Sequence, residues 1–326
     1  MNYSTLTEKA TCFDAIDIKT SAEFFSFITD MKQKQSKQFI FRGINEAKYK
    51  LYNSAQRFWV EYNLEKEGVD YKDLIKAEIE NAKSFQNELL KKLYNSFGHI
   101  AYDLSILSFL QHYGGVTPLL DFTYNFDYAL FFGIDEMENA TQNNDIDDFF
   151  SIYAINTNQA DFPWIGLHLD RETKILNNGL KNLNGIKIDT SNVLDKIQKL
   201  EYKTFEEYQL LCLEGYVPNG ILYEIPSVPN FKLVYNQHNL NIINQEGVLF
   251  FNSDANQPLE NFFGTSSSVF RLSKIQCWNI HKSLKTEVDA YLSKNNIDKK
   301  FIYPKEKNIA KQAKESIIKQ FNIKLK

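Results

Sequence analysis

Arg42 ends the apolar run Phe39–Phe41 and is followed at once by Gly43. A guanidinium there presents a planar fork of donors suited to a phosphate or a carboxylate. A glycine beside it lets a ligand or another backbone approach closely. The same arginine could instead pair with a buried carboxylate. A second group spans residues 111–123, where Gln111, His112 and Tyr113 precede the Gly114-Gly115 pair. Thr117 and Asp121 then bracket a short apolar stretch. His112 has the side chain that carries protons near neutral pH. Asp121, reached through Leu119 and Leu120, needs a partner if buried, and Arg42 is one candidate. Alternatively, Asp121 and Thr123 cap the helix that follows. The third group is Gln245 and Glu246, just before Gly247 and the apolar run that follows it. A carboxylate at a strand edge can anchor a sugar hydroxyl or act as a base. The other reading is a polar turn leading into a core strand.

Several chemistries lack their residues. His99, His168, His238 and His281 have no metal-ligand spacing, and Cys12, Cys212 and Cys277 form no CxxC pair, so no metal is expected. No P-loop, GxGxxG, HExxH or GxSxG motif occurs. With 37 basic against 41 acidic residues, wholesale electrostatic binding of nucleic acid is disfavoured, although a local basic groove is not. Lys305, Lys307, Lys311, Lys314 and Lys319 read as a solvated helix face. No stretch reaches the roughly 18 unbroken apolar residues of a membrane span. The N-terminus lacks the basic-then-apolar layout of a signal peptide. The expectation is a cytoplasmic protein with free thiols and no membrane partner.

The elements that must position these residues follow from periodicity. Residues 21–36 carry Phe24, Phe25, Phe27, Ile28 and Met31 at helical spacing, with Ser21 as a candidate N-cap. Residues 38–44 read as a strand that runs into a turn. Residues 48–57 read as extended at first. One long helix is expected over 71–97 and a second over 102–112, stopped at Gly114-Gly115. A strand over 116–123, a buried helix over 126–137 and a strand over 148–156 follow. Residues 157–230 read poorly, with one helix near 190–201. Further strands fall at 231–235, 247–251 and 269–280, then helices near 283–294 and 307–321. Helices cluster early and strands late, which favours an α+β fold with a mixed or antiparallel sheet and flanking helices. The division expected is an N-terminal helical segment over 1–37 and one domain over 38–326, with an unassigned insertion around 139–240.

Together these segments resemble the FRG domain family, named for the Phe-Arg-Gly that Phe41, Arg42 and Gly43 supply here. The stretch Tyr49 to Arg57 resembles the family's next element. The most specific likeness is Gln111, His112, Tyr113, Gly114, Thr117, Leu119, Leu120, Asp121, Phe122 and Thr123, then Ala129, Leu130 and Phe131. Gln245, Gly247 and Phe250 resemble a late strand of the family, and Ile302, Tyr303 and Pro304 a step before its last helix. The likeness runs from about 39 to about 316. Pro118 departs from it, standing where the family usually has an arginine.

The resemblance implies a domain of unsettled activity whose element order is similar to that of ADP-ribosyltransferase folds, an alternative description of the architecture. On that analogy the chain is an NAD-using enzyme, a toxin or a defence effector. Arg42, His112, Asp121 and Glu246 would be catalytic, with NAD bound by Arg42, Gly43, Tyr113, Thr117 and Gln245. Arg42 would hold the pyrophosphate or adjacent ribose, and Asp121 would orient Arg42 or His112. Glu246 would stabilise the positive charge that develops on the ribose as nicotinamide leaves. Fold analogy does not establish activity. The other class of function is a non-catalytic module that binds a nucleotide, nucleic acid or protein through the same cleft.

Overall fold

A computed structural model of the chain describes residues 1–34, 39–96, 103–141, 145–156, 240–252, 255–263 and 274–305, with Lys311 and Ser316. The expected helix near 190–201, all of the helix at 307–321 but Lys311 and Ser316, the strand at 231–235, the first residues of 269–280 and Cys212 lie outside the described residues. Among the described residues the centre is a six-stranded mixed sheet. Its strands are β1 (Asp14–Ile18), β2 (Phe39–Ile44), β3 (Leu119–Thr123), β4 (Phe149–Asn156), β5 (Gly247–Phe251) and β6 (Gln276–His281), in the order β1-β6-β4-β2-β3-β5. β1 runs parallel to β6, and the other neighbours are antiparallel. The α+β class follows directly.

Both faces of the sheet are covered, which explains why all but the last residue of β4 are buried. On one face Phe41, Phe150, Ile152, Trp278 and Ile280 pack against three helices. These are α2 (Ser21–Lys34), α6 (Phe126–Ile134) and α7 (Lys285–Lys294). On the other face Ile40, Leu120, Phe122, Phe149, Tyr153 and Phe250 meet Tyr3, Phe13, Leu51 and Leu259. A third cluster joins Leu119 and Leu249 to α3 (Ser54–Glu61), α4 (Tyr71–Ser96) and α5 (Asp103–His112).

Local chemistry sets the boundaries. Thr20, rather than Ser21, caps α2: its hydroxyl accepts from the Glu23 amide while Glu23 accepts from the amides of Lys19 and Thr20. Asn53 and Gln56 form a reciprocal capping box, so α3 begins inside the stretch expected to be extended. Asn125 caps α6, a role the sequence offers to Asp121 or Thr123. α4 is broken at Phe85–Glu88, where Gln86, Asn87 and Glu88 have positive φ. After the break Leu90 and Tyr94 rejoin Ile75 and Ile79 in one cluster.

The N-terminal segment holds more than helices. After α1 (Leu6–Cys12) it supplies the edge strand β1, paired along its length with β6. Lys9 of α1 is wholly buried, and its Nζ donates to Ala47 O at 2.9 Å, Ser151 Oγ at 2.7 Å and Asn279 Oδ1 at 2.9 Å. It thereby ties α1 to β4, to β6 and to the turn after β2.

Gly43 makes the closest approach to a neighbouring backbone among the described glycines. A Cβ there would lie 1.8 Å from Ala129 O and 2.5 Å from Gly133 N, both backbone atoms of α6. Its absence lets α6 lie directly on β2. Gly43→Ala is expected to lower stability by about 3 kcal/mol or more, because helix and strand must separate. Urea unfolding of the variant, showing a lower midpoint with an unchanged slope, checks this.

Candidate functional site

β2 and β3 share a single residue pair, Phe41 with Thr123. Beyond it the strands part, and a cleft of about 520 Å³ opens in the fork. β2 contributes Arg42 and Gly43, β3 contributes Asp121, and the end of α5 contributes Gln111 and His112. Asn45, Phe132, Asp135, Gln245 and Tyr303 line the rest of the wall.

Arg42 spans the fork. Its Nη1 donates to the main-chain oxygen of Asp121, a group the strand ladder leaves free. Among the described residues no carboxylate lies within ion-pair distance of it, and its buried Nε has no hydrogen-bond partner. Leaving one such donor unsatisfied costs about 1–3 kcal/mol. Burial pushes the Arg42 pKa down, Asp121 opposes this, and Arg57 adds to the depression. The guanidinium remains charged at any ordinary pH. Arg57, on α3, donates through Nη1 to Tyr52 O at 2.6 Å and also feels the charge of Asp121. Both guanidinium groups therefore feel the charge of the Asp121 carboxylate while bonding to backbone oxygens.

That carboxylate takes its hydrogen bond from a neutral donor. Gln111 Nε2 donates to Asp121 Oδ2 at 2.6 Å, and the Thr117 hydroxyl donates to Gln111 Oε1. The pairing of Arg42 with the Asp121 side chain is thus replaced by an arginine–carbonyl bond and a glutamine–carboxylate bond. The fork makes this possible, since it exposes a backbone oxygen closer to the guanidinium than any carboxylate. Thr117 is buried, and its amide donates to Ser54 Oγ at 2.9 Å. It acts through Gln111 rather than on the cleft itself.

His112 lines the cleft with a buried Nε2 that has no partner. Burial lowers its pKa, and Asp121 pulls the other way. α5 ends here because Gly114 takes φ 81° and the Gly115 amide turns back to Leu110 O at 2.7 Å. Tyr113, one residue on, is 70% exposed and stacks beside Phe109 outside the cleft.

The late pair divides. Gln245 lines the cleft, but its Nε2 donates to Ile302 O at 3.0 Å and its carbonyl accepts from Thr123 Oγ1 at 2.6 Å. It joins β3 to the segment around Tyr303. Glu246 is exposed, takes φ 47° in the turn before β5, and accepts from Asn125 Nδ2 at 3.2 Å. It does not line the cleft. Gly43 reaches the wall through its backbone, its missing side chain facing α6. Arg42, His112 and Asp121 therefore converge, with Gln111 linking Thr117 to them, while Tyr113 and Glu246 stand apart.

Asn45, Phe132 and Asp135 carry no sign in the sequence, and Tyr303 shows there only as part of the late family-like step, not as a site residue. Asn45 follows the strand by one residue, Phe132 and Asp135 close an apolar helix, and Tyr303 arrives from the far end of the chain. Among the described residues no group of three or more His, Cys, Asp or Glu could hold a metal ion.

Fold and site define an α+β protein with a polar cleft, holding a buried arginine, at a fork between sheet strands. Residues 37–142 match the family described as the FRG domain, and the chain is an FRG domain-containing protein. The match covers Arg42, Gly43, Gln111, His112, Tyr113, Thr117 and Asp121, while Gln245, Glu246 and strands β4 to β6 lie beyond it. No curated protein and no solved structure matches the chain.

His112 gives the site a pH signature. With its folded pKa below its unfolded value, the unfolded chain binds more protons just below the ordinary histidine range. This contribution to stability is complete above about pH 6.5 and is lost as pH falls through the folded pKa. NMR titration of the His112 ring is expected to give a pKa below that of free histidine. An anion seated in the cleft should raise it.

Proposed function

We propose that the fork cleft is an anion-binding site that takes the phosphate of a nucleotide-like small molecule. The observation that supports this most directly is Arg42. It is a cation sunk beside a cleft, held by a backbone carbonyl rather than by a carboxylate, with donor capacity left over. A planar guanidinium suits phosphate oxygens better than an ammonium does. Arg57 adds positive charge nearby, and the unpartnered His112 Nε2 offers another polar contact. Asp121, steadied by Gln111, limits the net charge and would favour ligands that also bring a hydroxyl or N–H donor.

Binding, with or without catalysis, is the reading the geometry favours. Glu246, the carboxylate expected beside a reacting ribose, faces solvent outside the cleft. A second reading keeps the chemistry: an NAD-using transferase or glycohydrolase in which Asp121 takes the part of the anion near the developing positive charge. Arg42, His112 and Asp121 on one wall favour it. A toxin or defence role would follow from consumption of NAD. The free thiols Cys12 and Cys277 suit action in a reducing compartment such as the cytoplasm. Among the described residues no helix is long and apolar enough to cross a membrane.

Calorimetric titration with pyrophosphate, ADP-ribose and NAD tests the site. Wild-type protein is expected to bind all three. Arg42→Ala should weaken each at least tenfold, and Arg42→Lys should fall between, since an ammonium keeps the charge but loses the fork. Equal affinity in wild type and in a folded Arg42→Ala variant would overturn the assignment. Release of nicotinamide on prolonged incubation with NAD, abolished in Asp121→Asn, would select the catalytic reading.

A further inference from the structure

The cleft has a second end, chemically unlike the first. Asn45 stands three residues beyond Arg42 along the same strand direction, roughly 10 Å at the rise of an extended chain. There Phe132 and Tyr303 both line the wall, with ring centroids 6.3 Å apart and planes at 67°. Such a corner can stack a flat ring on one aromatic face and meet its edge with the other. Two oxygen acceptors flank it. Asn45 Nδ2 donates to the carbonyls of Asp135 at 3.3 Å and Glu136 at 3.4 Å. Because both partners are carbonyls, the amide must turn its NH2 toward them, and Oδ1 becomes the free end. No described residue donates to that oxygen. The Asp135 carboxylate accepts from Tyr303 Oη at 2.8 Å and Lys299 Nζ at 3.2 Å. A carboxylate has about four acceptor positions, so capacity remains.

Resting on the phosphate reading of Arg42, we infer that this end is a nucleobase subsite that selects bases bearing an exocyclic amine. A nucleoside phosphate laid along β2 puts its phosphate on Arg42 and its base in the corner of Phe132 and Tyr303. The base amine then donates to Asn45 Oδ1, to Asp135 or to both. A keto oxygen in the same place would face two acceptors, while the donors at hand, Tyr303 Oη and Lys299 Nζ, are already engaged by Asp135, and unpaired polar groups of this kind give strong discrimination. Tyr303 is fixed for this role: its hydroxyl is committed to Asp135, while its ring packs at 6.1 Å from Phe131. Burial and that bond push the Tyr303 pKa up, so it stays neutral across the working range.

Titration of the full chain with pyrophosphate, AMP, GMP, CMP, IMP and UMP tests the inference. The expected result is that at least one of AMP, GMP and CMP binds ten or more times tighter than both IMP and UMP, and tighter than pyrophosphate. Asn45→Ala should erase that preference while pyrophosphate affinity stays. Because Asn45 also holds the turn after α6, Phe132→Leu provides an independent variant. It keeps apolar volume and should weaken every nucleotide without weakening pyrophosphate. Pyrophosphate binding with no preference among the five nucleotides, or a preference that survives in both variants, overturns the base subsite and leaves the phosphate site standing. Failure of pyrophosphate and all nucleotides to bind overturns both.

Discussion

Strands β2 and β3 stay together for one residue pair, and beyond it the guanidinium of Arg42 reaches across to the Asp121 carbonyl. A sheet that splits normally leaves backbone groups without partners, which is costly in a buried setting. Here a side chain stands in for the missing rung. The substitution has two consequences. The sheet remains one structure from β1 to β5, and the cation that bridges the split lies beside the cleft that the split creates. One residue thus serves both the sheet and the site.

The three residues of the Phe41-Arg42-Gly43 tripeptide divide the work. Phe41 is wholly buried and meets Phe126 edge-on at 5.7 Å, which fixes the strand to α6. Gly43 removes the side chain that would hold α6 away. Arg42, between them, points from the opposite side of the pleat, as strand geometry requires. Two positions press the helix onto the strand, and the one between them reaches the fork. The tripeptide reads as a compact solution to packing a helix against a strand that must also hold a charged group.

The second group works as a relay. Thr117, Gln111 and Asp121 form a chain of hydrogen bonds that fixes the carboxylate's direction, and Ser54 anchors the chain to α3. Each member is partnered, so the network rigidifies the wall rather than straining it. The unpartnered atoms, Arg42 Nε and His112 Nε2, lie at its edge. A site built in this way keeps its shape before any ligand arrives, which lowers the cost of binding.

Much of this was open to the sequence. Alternation and apolar runs revealed β2 to β6 and the buried helix α6, because burial on two faces leaves a strong local pattern. The helix stop at Gly114 and the chemical character of Arg42, His112 and Asp121 were legible for the same reason: they depend on near neighbours. The N-cap at Thr20, the break in α4 and the strand β1 were not. β1 has only one buried residue and pairs with a strand more than 250 residues away, so its local pattern is weak. Which carbonyl Arg42 would choose, the exposure of Glu246, and the meeting of Asn45 with Tyr303 were decided by tertiary structure alone. Each depends on how far two strands separate and on where a distant segment folds back. Those distances are set by packing of the whole sheet, and no stretch of sequence encodes them by itself.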